Sequence, residues 1–120
     1  MMTKIASFKD LRVWNLGMEI VLMVYAMTKE FPKEEMYGLT SQIRRASVSI
    51  PANIAEGFRR FSSKEHKQYL RIAFGSAAEL ETELIIAARL GFIEQNQSAI
   101  LAEKIDHLSR MLSLFIKKFQ

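Results

Sequence analysis

A chain of 120 residues with 49% hydrophobic and 25% charged side chains has the length and composition of one domain with its own core. It has no cysteine, which excludes a disulfide framework and a thiolate metal site, and its longest unbroken apolar run, residues 20–27, is far short of the roughly 20 residues a membrane helix requires. The net charge of +4 is uneven: over residues 41–71 seven cations stand against two carboxylates, the remainder is net −1, and a localised positive field favours polyanions such as nucleic acid.

Residues 1–7 carry no apolar leader segment, so a soluble cytoplasmic protein is expected. The first helix is expected over residues 10–30. Leu11, Trp14, Met18, Val21, Leu22 and Tyr25 share one face at 3.6 residues per turn, and Val13, Leu16, Ile20, Met23, Val24 and Met27 share a second. Only a narrow stripe around Arg12, Asn15 and Glu19 is strongly polar. Such a helix wants cover on two sides, and a four-helix monomer supplies roughly one. The second face, through Val13, Ile20, Val24 and Met27, is therefore expected to meet another subunit.

Pro32 ends this helix and Gly38 punctuates before the second, expected over residues 39–60. Its inner stripe is Leu39, Ile43, Ala46, Ile50, Ile54 and Gly57. Val48, Ala52, Ala55 and Arg59 lie opposite, and the first three of these join the expected subunit interface. Pro51 removes one helical hydrogen bond and is expected to bend the helix, with Ser47 and Ser49 available to the loosened backbone. Gly57 admits a neighbouring backbone closely. Glu56 is spaced to pair with Arg60.

Ser62 and Glu65 carry the capping signature of the third helix, which runs to about residue 90 and stops at Gly91. Tyr69, Ala73, Ala77, Leu80, Leu84 and Ala87 form its seam. Asn96 is the expected cap of the fourth helix, where Leu101, Ile105, Leu108, Leu112, Phe115 and Phe119 keep a 4-3-4-3-4 spacing. Nothing reads as strand, linker or repeat. Residues 1–120 are thus expected to form a single all-α domain, an antiparallel up-down-up-down four-helix bundle with helix two kinked at its proline.

The sequence has no Gly-rich phosphate loop and no metal-ligand spacing, so neither cofactor nor metal is expected. Glu79, Glu81 and Glu83 lack the Glu-x-x-His pairs of di-metal bundles and read as a solvated acidic patch. Arg60 precedes His66 by six residues, a spacing similar to that of the HEPN-type bundle ribonucleases. There, His does acid–base work at a 2′-OH and Arg steadies the phosphate. This chain departs from that pattern, because Phe61 follows the arginine and the helix-three cap falls between the two residues.

The stretches "FKDLRVW", "FPKEEMYGLTSQIRRASVSIPANIAEG" and "GSAAELETEL" resemble the four-helix-bundle proteins encoded within intervening sequences of bacterial 23S rRNA genes, a family that includes the accessory variability protein of diversity-generating retroelements. The likeness covers residues 8–92, with helix four similar in pattern only. The resemblance implies an up-down bundle assembled as a homopentameric barrel. For the retroelement member it also implies a basic surface that binds nucleic acid and a partner reverse transcriptase. The family name records where the genes were found and implies no ribosomal role.

Together these features lead to the expectation of a non-enzymatic, homo-oligomeric protein that binds nucleic acid through Arg44, Arg45, Arg59, Arg60, Lys64, Lys67 and Arg71. Arginine also suits ion pairs, so some of these residues are candidates for bracing subunits instead. The alternatives are a protein-interaction scaffold that presents its basic face to an acidic partner, and the Arg/His ribonuclease.

Overall fold

Each connection falls where backbone chemistry interrupts a helical run. The computed structural model describes residues 5–119, with four helices: α1 (Arg12–Thr28), α2 (Leu39–Phe58), α3 (Ser63–Arg89) and α4 (Gln95–Lys117). Single turns of 3-10 helix at Phe8–Asp10 and Lys33–Glu35 precede α1 and α2, and no strand occurs among the described residues. The first of these turns is a capping box. The Ser7 hydroxyl accepts from Lys9 N–H at 3.2 Å, and the Asp10 carboxylate accepts from Ser7 N–H at 3.0 Å. Leu11 is extended after it, so α1 begins two residues later than the periodicity suggests.

Ser62 caps α3 as expected, its hydroxyl accepting from Glu65 N–H at 3.1 Å. The Glu65 carboxylate accepts from that same hydroxyl instead of reaching the Ser62 backbone. At the other end Gly91 takes φ +82°, the left-handed conformation, with Phe92 N–H donating to Ala87 C=O and Gly91 N–H to Ala88 C=O. That pair of bonds satisfies two of the last carbonyls of the helix. The N-cap of α4 is Glu94, which makes no side-chain cap bond and lies two residues before the expected Asn96.

The helices neighbour one another in chain order around the bundle, with α4 returning to α1. Gly17 on α1 faces Ile50 and Pro51 on α2, while Thr28 faces Arg44. Ser49 meets Ser76 on α3, and Gly57 meets Tyr69 and His66. His66 meets Phe115 and Phe119 on α4, and Lys104 pairs with Glu19 on α1. Residue numbers fall along one helix as they rise along its neighbour. The expected core stripes of α2, α3 and α4 line the interior, where Ile43, Ile50, Ile54, Leu70, Leu80, Leu101, Ile105, Leu108 and Leu112 are buried.

The first helix corrects the sequence reading. Val13, Ile20, Val24 and Met27 were expected at a subunit interface, but they are buried in the core of the single chain. Both long faces of α1 are apolar, so periodicity does not rank them. Close approach decides. Gly17 lies on the buried face, where a Cβ would stand 3.5 Å from Ile50 and Pro51, and α2 packs there. The outward face is the other one: Leu22 is 68% exposed, Tyr25 is 39% exposed, and Met18 and Val21 are half-buried. On α2, Val48 is 42% exposed, Ala52 is exposed and Ala55 is half-buried.

α2 continues through Pro51, and polar side chains serve the turn around it. Ser47 Oγ donates to Arg44 C=O at 2.8 Å, and Asn53 Nδ2 donates to Ser49 C=O at 2.8 Å. Six residues on, Gly57 holds α2 against the start of α3. A Cβ there would lie 3.0 Å from Tyr69 Cβ and 3.1 Å from the His66 carbonyl oxygen. Gly57→Ala is therefore expected to destabilise by about 1–3 kcal/mol, overriding its better helix propensity. Gly75, on the exposed side of α3, has open space at its Cβ position, so Gly75→Ala is expected to stabilise by about 0.5–1 kcal/mol. Denaturant unfolding of the two variants checks the opposite signs.

Candidate nucleic-acid interface

The turn between α2 and α3 is held from both sides. Arg59 N–H donates to Ala55 C=O and Arg60 N–H to Gly57 C=O, while Ser62 caps the next helix. Arg60 adds a side-chain clasp, donating to Glu56 at 3.0 Å and to the Tyr69 hydroxyl at 2.8 Å, with its guanidinium over the Tyr69 ring. Its Nε is buried without a partner. The partly exposed Glu56 pair contributes only a few tenths of a kcal/mol, so the stacking and the hydroxyl contact fix this side chain.

The seven expected phosphate-contacting residues do not form one patch. Fifteen residues separate Arg44 from Arg59 along α2, a rise of roughly 22 Å. Arg44 is turned to a structural task. Its Nε donates to Thr28 Oγ1 at 2.8 Å and its guanidinium lies 4.7 Å from the Tyr25 ring centroid, stapling α2 to α1 within one chain. Arg45 is exposed beside a shallow groove lined by Gln42, Ser49, Ser76 and Glu79. Arg59 lies over the Phe8 ring at 5.4 Å with its side chain exposed. Lys64 and Arg71 are exposed and Lys67 is half-buried. Among the described residues Arg59, Lys64, Lys67 and Arg71 form no ion pair.

The fold adds cations that lie outside the segment singled out in the sequence. Phe8 under Arg59, and Phe115 and Phe119 against His66, place the start of α1 and the end of α4 beside the α2–α3 turn. Lys9, Arg12, Lys117 and Lys118 thus join Arg59, Arg60, Lys64 and Lys67 at one end of the bundle, where Asp10, Glu56 and Glu65 are the acidic residues. Asp10 and Glu65 are held in capping bonds and Glu56 in its pair with Arg60. The opposite end, joined through Phe31 against Phe92, carries Glu30, Glu34, Glu35 and Glu94 with Lys29, Lys33 and Arg89. The molecule has a basic end and a more acidic one. The signal for this was topological: alternate helix ends meet in an up-down bundle.

The sequence pattern of the 23S rRNA-intervening sequence protein family matches residues 9–114. The chain belongs to that family. Its fold is similar to the crystal structure of a protein of unknown function from the S23 ribosomal protein family of Bacteroides thetaiotaomicron, with a TM-score of 0.82 and 24% identity, covering 88% of this chain and 98% of that one. At that identity the likeness speaks for the fold. None of the curated proteins matches the chain. No helix among the described residues is long and apolar enough to cross a membrane.

The Arg60–His66 pair is not set up for 2′-OH chemistry. Arg60 is engaged with Glu56 and Tyr69, and the His66 ring packs against Phe58, Phe115 and Phe119. Its Nε2 is buried without a partner, and burial holds the imidazole below its ordinary pKa. The acidic residues of α3 also differ from the solvated patch expected of them. Glu79 and Glu81 are exposed, but Glu83 is buried with Oε1 unpartnered. Burial, then a hydrogen bond that protonated Glu83 donates to Glu79 and the Glu79 charge, push the Glu83 carboxyl up to about 7.

Glu83 is thus protonated in the folded chain up to about pH 7, whereas the unfolded chain releases that proton near 4.5. The stability linked to this group is full below the unfolded value and is lost as pH rises through 7. Glu83→Gln stays neutral throughout. It is expected to match the wild type in thermal stability near pH 4.5 and to exceed it at pH 8, by on the order of 1–3 kcal/mol. An equal gain at both pH values would show that Glu83 does not titrate in this range.

Proposed function

We propose that this protein is a non-enzymatic homo-oligomer that binds nucleic acid through backbone phosphates at the basic end of the bundle. The observation that supports it best is the gathering there of Arg59, Lys64 and Lys67, which form no ion pair among the described residues, beside Lys117 and Lys118 from α4. Unpaired, exposed cations are poor contributors to stability but are suited to displacing counterions from phosphate. Arg44 and Arg60 belong to the packing of the single chain. Of the seven, Arg59, Lys64 and Lys67 are thus proposed as contacts and Arg44 and Arg60 as support.

Self-association is supported by a contiguous apolar face. Tyr25 lies under Arg44, and the same register brings Leu22 abreast of Val48. Leu22, Tyr25, Val48, Ala52 and Ala55 therefore make the proposed interface, flanked by Met18 and Val21. A cyclic assembly that sets this face against a different face of the next subunit, five-fold by the family resemblance, repeats the basic end on one rim and multiplies phosphate contacts. The resemblance adds a reverse transcriptase as a protein partner of that ring. A second reading, an interaction scaffold, draws on exposed Ile72, Phe74, Ile85 and Ile86 along α3. A protein partner retained after nuclease treatment of an extract would favour it.

Affinity for short RNA and DNA is expected to fall steeply with salt and to show little dependence on sequence. Replacing Arg59, Lys64 and Lys67 by Glu is expected to weaken binding at low salt by at least about tenfold and to flatten the salt slope by roughly 2–3. Arg44→Ala is expected to leave affinity intact while costing about 1–2 kcal/mol in unfolding. No binding at low salt, or binding indifferent to the triple reversal, overturns the reading. Light scattering on a sizing column checks assembly: a multimer is expected for the wild type and a smaller, still helical species for Leu22→Glu. A monomeric wild type at micromolar concentration refutes the interface.

A further inference from the structure

One residue at the basic end is at odds with the folding of the chain by itself. Phe61 is fully exposed, at the apex of the turn between α2 and α3. The turn is anchored on both flanks of Phe61. The backbone bonds of Arg59 and Arg60, the Arg60 clasp on Tyr69, the tight seat of Gly57 and the Ser62 cap hold both sides of it. A ring carried on such a turn is displayed at little further entropic cost when something stacks on it.

Its neighbours say what that something is. Arg59 precedes Phe61 by two residues and Lys64 follows by three, both exposed and neither in an ion pair among the described residues. The nearby carboxylates, Glu56 and Glu65, are held by Arg60 and by the Ser62 hydroxyl. An open aromatic face flanked by free cations matches a base flanked by its phosphates. The molecule offers its own comparison. Tyr37 is almost as exposed, but it follows Glu34 and Glu35 at the acidic end, where phosphate is repelled.

We propose that Phe61 is a stacking platform for an unpaired base, so that the basic end takes single-stranded nucleic acid in preference to duplex. In a duplex the base faces are already stacked on one another and only the phosphates remain for Arg59 and Lys64. A single strand offers both. This rests on the phosphate-binding reading above and adds to it a choice of strand state. The 2′-OH has no part in stacking, so RNA and DNA strands are both taken.

The test uses the full chain with a labelled 20-nucleotide strand and its duplex, each as RNA and as DNA, titrated by fluorescence anisotropy at low salt. The wild type is expected to bind single strands about tenfold more tightly than duplex, the scale of one stacked base. Phe61→Ala is expected to abolish that preference while leaving duplex affinity unchanged. Phe61→Trp is expected to keep the preference, and Tyr37→Ala to behave as wild type. Equal binding of strand and duplex by the wild type, or a preference that survives Phe61→Ala, overturns the proposal and leaves the phosphate reading standing. No binding of either form overturns both. A change in assembly mass on Phe61→Ala, with strand preference intact, assigns the ring to a protein contact and refutes stacking.

Discussion

At Gly57 a methyl group would be crowded. The helix passes so close to the start of α3 that an added Cβ would stand 3.0 Å from Tyr69 Cβ and 3.1 Å from the His66 carbonyl oxygen, tighter than ordinary contact. Much of the basic end depends on this approach. It brings Tyr69 within reach of Arg60, sets the angle at which the chain leaves α2, and carries His66 into the ring cluster formed with Phe58, Phe115 and Phe119. That cluster in turn fixes the end of α4, and with it Lys117 and Lys118. On its other side α2 meets α1 at Gly17, where an added Cβ would make ordinary contact with Ile50 and Pro51 at 3.5 Å. α2 is thus positioned from both sides at residues where bulk is missing or locked, and the turn that follows inherits its place from them.

Much of the fold was legible in the residues because three of the helices have one apolar stripe each. Ile43, Ile50 and Ile54 on α2, Ala73, Ala77 and Leu80 on α3, and Leu101, Ile105, Leu108 and Leu112 on α4 all point where their spacing places them. α1 was read with its faces reversed because hydrophobicity alone does not distinguish two apolar faces. The distinguishing residues are Gly17, where α2 comes close, and Thr28, whose hydroxyl is buried and bonded to Val24 C=O and to Arg44. A small residue and a self-satisfied polar one mark an inward face better than another leucine does. The start of α4 was misplaced for a simpler reason: Asn96 is a good cap by type, but the N-cap is Glu94, which makes no side-chain cap bond.

The candidate site was half legible. Adjacent arginines in sequence suggested one patch, but the rise of α2 sends Arg44 and Arg59 toward opposite ends of the bundle. Spacing pointed to the Glu56–Arg60 pair, but nothing in the sequence indicated that Arg44 and Arg60 would each sit on a tyrosine. Both are stacked on tyrosines and bonded to hydroxyls, which requires knowing which helix lies alongside. Conversely, Lys9, Arg12, Lys117 and Lys118 sit far from the basic segment in sequence and next to it in space. The local count of charge was a sound guide to the existence of a basic region and a poor guide to its membership.

The charge at that end does not come from the backbone. α1 and α3 begin there while α2 and α4 end there, so the helix dipoles largely cancel and the field belongs to the side chains. Like charges gathered in this way repel and lower the stability of the isolated chain. Arg59, Lys64 and Lys67 return little for that, having no ion pair among the described residues. Phe61 at the apex of the same turn leaves an aromatic ring in water. An end made only for folding would bury the ring and neutralise the lysines. The tightly held backbone beneath them shows that the turn is not simply a loose connection. Rigid support, cations without ion pairs among the described residues and an open ring together are what the proposed partner surface rests on, and the sign of the charge is what favours a polyanion there.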